Sequence, residues 1–116
     1  ACNEAAWRRT DLPRLAAAAR AADLATIGGQ VQFRLPDGSY ELYWQDYDPT
    51  ERLVSEPWSE YVDRTWRELL FLVDGLPPDN ELIGQLRRLD PAREVGDAEA
   101  LRALWFVVYL EEGPTH

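Results

Sequence analysis

The chain contains no lysine and no methionine, a single cysteine, Cys2, and a single histidine, His116, which is its last residue. Each shortage removes a chemistry. Without lysine there is no Schiff-base catalysis and no P-loop cation. One cysteine and one terminal histidine exclude a disulfide scaffold, a zinc site built from Cys and His, and any Ser-His or Cys-His design that needs a well-packed imidazole. A lone thiol suits a reducing compartment, so a cytoplasmic location is expected. Long apolar runs are also missing. The longest, Leu104 to Leu110, is far too short for a membrane-spanning helix, and no membrane partner is expected. The absent start methionine reads as removal of that residue or as a fragment.

Positive charge is scarce as well. Twelve arginines face 21 acidic residues, a formal charge of −9. Such a surface repels phosphate backbones. The only basic pairs, Arg8-Arg9 and Arg87-Arg88, belong to no stripe with interleaved aromatics, so nucleic acid is not expected as a partner.

What the chain does contain is apolar material for one core. It has 116 residues, 46% of them hydrophobic, including five tryptophans, which fits a single domain over 1–116. Asp11 or Thr10 caps a helix with Pro13 in its first turn. This helix is expected over 12–24, with Leu12, Leu15, Ala16 and Ala19 on its packing face and Gly28-Gly29 as its end. Gln30 to Leu35 alternates polar and apolar residues, Pro36-Asp37-Gly38-Ser39 is a turn whose Asp37-Gly38 supplies positive φ, and Tyr40 to Tyr47 returns as a second strand. Val31, Phe33, Leu35, Tyr40, Leu42 and Trp44 then share an inner face, while Gln32, Arg34, Tyr43, Gln45 and Tyr47 point outward. A second helix starts near Ser55 or Glu56, with Trp58, Val62, Trp66, Leu69 and Val73 as its buried stripe, widened by Tyr61, Leu70 and Phe71. A third covers about 79–89. Asp97 caps a last helix running to about Glu111; the rival is a short helix followed by a third strand on the hairpin, since 105–110 is rich in strand formers. The expected fold class is α+β: a β-hairpin, extended in the rival to a three-stranded sheet, packed against three to four helices.

Catalysis would have to run on carboxylates, tyrosine or arginine. Asp46, Asp48 and Glu51 lie close together, but in a hairpin exit and polar loop where water keeps them ionised. The same run offers three oxygen ligands to a hard cation, yet it lacks the central glycine and length of an EF-hand loop, and Pro49 stiffens it. Neither a catalytic residue, a metal nor a cofactor is assigned. The better signal is for binding. Asp46, Asp48, Glu51, Glu56 and Glu60 face one cation, Arg52, with Tyr43 and Tyr47 interleaved. Carboxylates steer encounter with a basic protein and pair with its Lys and Arg, and rings serve as rigid anchors. Trp44 and Trp58 are read as core residues. The expected partner-binding set is Tyr43, Asp46, Tyr47, Asp48, Glu51, Glu56 and Glu60.

The stretch Ile27-Gly28-Gly29 through Pro36-Asp37-Gly38 to Tyr43-Trp44, after an Ala-rich helix, resembles the small acidic immunity proteins encoded beside bacterial secreted toxins. The resemblance covers about a third of the chain and rests on size, acidity and this Gly-Gly, Pro-Asp-Gly, Tyr-Trp pattern. It implies a cytoplasmic inhibitor that binds one cognate toxin and blocks its active site or substrate groove. It transfers no functional residues. Two rivals stand beside it: a small-molecule or divalent-metal regulatory domain with a pocket between the hairpin and the Trp58 helix, and a homodimer paired through the outer hairpin face.

Overall fold

Strand β2 (Ala25–Leu35) and strand β3 (Gly38–Glu41) form the expected hairpin, seen in a computed structural model that describes residues 2–114. Ala1 and His116 lie outside the described residues, as does the side chain of Cys2. Leu35 pairs with Gly38, so the loop is the two residues Pro36 and Asp37. The positive φ falls on Gly38 alone, at 149°, and not on Asp37. The hairpin's second arm is shorter than expected. It leaves the ladder after Glu41, makes one tight turn over Tyr43–Gln45, and rejoins β2 at a single bridge between Tyr47 and Gly29.

The preferred reading of the C-terminal segment is overturned, and its rival holds. A short helix, α4 (Asp97–Ala103), gives way at Leu104 to strand β4 (Leu104–Glu111). Branched and aromatic side chains favour this pleated backbone, and Val107 and Val108 are both fully buried although they point to opposite faces. β4 lies between β2 and an unforeseen strand, β1 (Cys2–Trp7), giving an antiparallel sheet of order β1-β4-β2-β3. Nothing in Glu4-Ala5-Ala6 announces a strand; β4 recruits it.

Helix α1 (Leu12–Ala21) buries Leu12, Leu15, Ala16 and Ala19 as expected. It ends before Asp23, whose φ of 60° turns the chain, and Gly28-Gly29 lies inside β2 instead of closing the helix. Helix α2 (Trp58–Asp74) starts two to three residues later than expected, with Pro57 at its N-cap. It is the central helix. Trp66 is fully buried and its indole donates to the Leu24 carbonyl at 2.7 Å. Phe71, expected to widen the buried stripe, is exposed. Helix α3 (Asp79–Leu89) has the expected bounds.

The buried apolar residues of all four helices join one cluster with Val31, Phe33, Leu104, Phe106 and Val108, which share one sheet face. Val107 points the other way and is outside that cluster. On its face Gln32 donates to Gln30 at 2.9 Å, Arg34 donates to Gln32 at 3.2 Å, and Arg34 pairs with Glu4 at 3.3 Å. Because β1 and β2 flank β4, this chain of bonds passes over β4. It supplies polar cover where no helix lies.

Candidate functional site

The site begins with the two glycines of β2. A Cβ on Gly29 would overlap the Val107 carbonyl oxygen and come within 2.6 Å of Tyr47 Cε2. The Tyr47 ring lies over the bare glycine, an aromatic filling the space that a missing side chain leaves in a sheet. Gly28, at φ 117°, similarly leaves room for Asp48 and the Tyr47 carbonyl. Gly-Gly is therefore a landing place for the chain that returns at 47–48.

Tyr47 is only 1% exposed. Its hydroxyl donates to the Val107 carbonyl at 2.6 Å, with the Gln30 carbonyl 3.0 Å away. Burial, and then the charge of Asp46, push the phenol far above its ordinary value. Tyr47 is thus a core residue, which corrects its placement in the partner-binding set. Since successive side chains of extended backbone point to opposite sides, an inward Tyr47 turns Asp46 and Asp48 outward. Both are exposed. Partial burial, and then the charges of Glu41 and Asp48, raise the Asp46 carboxyl above its ordinary value.

The loop beyond is held by a residue that the sequence analysis did not single out. Arg64, on α2, uses all five of its N–H donors. They go to both oxygens of Glu56 at 2.7 and 2.9 Å, to the carbonyls of Thr50 and Glu51 at 3.0 Å each, and to Glu68. Glu56 is therefore a structural anchor, the second correction to the binding set. Arg52 is also committed: it donates to the Glu56 carbonyl at 3.0 Å, and its guanidinium lies 5.3 Å from the Trp58 ring. Sequence spacing shows only the Arg64–Glu68 pair, four residues apart on α2; the other partners lie on the loop before the helix and leave no periodic sign.

The Arg64 hydrogen bonds bring the Glu56 carboxyl down to about 2, against an opposing contribution from burial. For Glu68, burial pushes upward but is outweighed by hydrogen bonds from Arg64 and Thr50, so it too is lowered. A carboxyl with a depressed folded value binds fewer protons when folded. The clamp's contribution is therefore intact above Glu56's ordinary 4.5 and is lost as pH falls from there toward 2. The Leu53 amide donates to Glu56 at 3.2 Å and reports on this. Its NMR shift should titrate with a midpoint near 2, and Glu56→Gln should abolish that step; a midpoint near 4.5 would show the clamp open in solution.

The other expected residues divide as follows. Tyr43 is 69% exposed and packs edge-on against Trp44. Trp44 is itself half-exposed and donates to Gln85 on α3 at 2.7 Å, so it leaves the inner face assigned to it. Glu51 and Glu60 are exposed. Among the described residues, the carboxylates of Asp46, Asp48, Glu51 and Glu60 make no hydrogen bond or ion pair. No group of three or more His, Cys, Asp or Glu able to hold a metal occurs among the described residues. Trp58 faces Asp23 and Gly113 and not the hairpin.

Two residues were missed on α2. Phe71 and Leu72, with Asp48, Thr50, Arg67 and Glu68, line an open cleft of about 520 Å³. Helical spacing puts Glu60, Arg67 and Phe71 on one outward ridge. No helix of the described residues is long and apolar enough to cross a membrane. No protein-family model, curated protein or solved structure matches the chain.

Proposed function

We propose that this protein acts in the cytoplasm without catalysing a reaction, as an inhibitor that binds a basic protein partner and occludes its active site or substrate groove, in the manner of a bacterial immunity protein against its toxin. One observation carries the reading. Asp46, Asp48 and Glu51 are held outward on a loop braced by Tyr47 and Arg64, and the two arginines that bond this loop, Arg52 and Arg64, do so without pairing with these three carboxylates. Unpaired carboxylates on a fixed frame are preorganised for a partner's Lys and Arg, because little side-chain or loop freedom remains to be lost on binding. The proposed contact set is Tyr43, Asp46, Asp48, Glu51 and Glu60, with Tyr47 and Glu56 holding the frame.

The test is binding to the protein encoded beside this one. The triple variant Asp46→Asn, Asp48→Asn, Glu51→Gln should weaken association by roughly 100-fold, about 1 kcal/mol for each charge, and flatten its dependence on salt. Unchanged affinity with an unchanged salt slope rejects the proposal.

A further inference from the structure

We infer that the cleft between the Asp48–Thr50 segment and the C-terminal half of α2 receives an apolar side chain carried on a basic segment of the partner, with Phe71 as the anchor. This rests on the reading above and adds what that reading lacks, an apolar centre.

Phe71 is 78% exposed, and Leu72 beside it is partly so. A single exposed apolar residue is ordinary on a protein surface. These two are neighbours in one concavity, and Asp48 stands at its edge, near enough to Asp46 for the two charges to interact. That is the arrangement of an interface hot spot, a ring and an aliphatic chain inside a rim of charge. The rim selects the occupant. Glu68 is already held by Arg64. The uncommitted groups are the carboxylates of Asp48 and Asp46 and the guanidinium of Arg67, which makes no hydrogen bond or ion pair among the described residues. The carboxylates call for Lys or Arg next to the apolar side chain. Arg67 is free to donate to a backbone carbonyl of the same segment, which would fix its direction. A second copy of the chain is the poorer occupant, because each copy brings a formal charge of −9.

The probes are three pentapeptides, RRLRR, RRGRR and EELEE, titrated into the 15N-labelled protein. RRLRR should shift the amides of Asp48, Thr50, Arg67, Phe71 and Leu72 and bind about fivefold or more tightly than RRGRR, the effect of partly burying one leucine side chain. The variant Phe71→Ser, at an exposed position where folding should be unaffected, should bring RRLRR to the level of RRGRR. Equal binding of RRLRR and RRGRR overturns the anchor while leaving the acidic rim in place. Failure of both basic peptides overturns the anchor and the proposed function together. Binding of EELEE as tightly as RRLRR overturns charge selection. Shifts at the same amides on raising the protein concentration alone would assign the cleft to a second copy and overturn the inference.

Discussion

Replacing Gly29 by alanine is expected to destabilise the protein by about 3 kcal/mol or more, read from the midpoint of urea unfolding. The sign is the informative part. Gly29 sits in a strand without a positive φ, and backbone preference alone favours alanine over glycine by about 0.5–1 kcal/mol. The packing demands the opposite, since the new methyl would overlap the Val107 carbonyl of the neighbouring strand and press on the Tyr47 ring. The carbonyl is fixed in the centre of the sheet and cannot step aside as the end of a flexible side chain does. A Gly29→Ala variant as stable as the parent would mean that Tyr47 is not seated over this strand. Combining it with Tyr47→Ala should give less than the sum of the two effects, because the ring contact is lost only once. Rescue should be incomplete, because the carbonyl overlap remains.

Tyr47→Ala is expected to cost about 3–5 kcal/mol, the usual range for removing a large buried aromatic. Tyr47→Phe should cost about 1 kcal/mol, for one buried hydrogen bond to the Val107 carbonyl. The difference separates ring from hydroxyl. It also separates structure from binding: Tyr47→Phe should leave affinity for the partner and its salt dependence unchanged, whereas neutralising the adjacent aspartates should reduce both. A Tyr47→Phe variant that folds normally but loses the partner would return Tyr47 to the contact surface and overturn its burial. Because the phenol is pushed above its ordinary value of 10 mainly by burial, the stabilisation it brings is complete below pH 10 and is lost as pH rises above it.

The readable parts of this fold were those that depend on near neighbours. Pro36-Asp37-Gly38 between alternating segments marks a hairpin, Pro77-Pro78 before Asp79 and Asp90-Pro91 after Leu89 bracket α3, and the Leu12, Leu15, Ala16, Ala19 spacing is the face that α1 buries. The misreadings share one cause, partners far away in the chain. Asp97 with Leu101, Leu104 and Val108 fits a helical stripe, and only the strands on either side of 104–111 turn that segment into β structure. Gly28-Gly29 resembles a helix stop until Tyr47 is seen lying over it. Asp48 and Glu51 were legible as loop acids because Pro49 and Thr50 lie between them, whereas Glu60 is in the first turn of α2. Which tyrosine pointed inward was not legible, since Tyr43 and Tyr47 have the same parity and only the Gly29 bridge separates their fates. Phe71 fell within reach of the buried stripe of α2, and a small angular error put it on the wrong side. Four of the five Arg64 bonds gave no signal, because they are made to a loop whose path is visible only in three dimensions, whereas the fifth, to Glu68, is an ordinary pair four residues apart on α2.

The sheet order carries a consequence for how the molecule forms. β4 is the middle partner of β1 and β2, yet it lies at residues 104–111, so Cys2 must wait for Glu111 and Phe33 for Leu104. Only the short β2-β3 hairpin and the helices can form from local contacts. Chains dominated by such distant pairings fold slowly, and during synthesis the edge of β2 at Val31 and Phe33 stays unpaired until residues 104–111 have been made. The strong negative charge then has a second use, because mutual repulsion keeps half-made chains from associating through those open strands until the last one arrives.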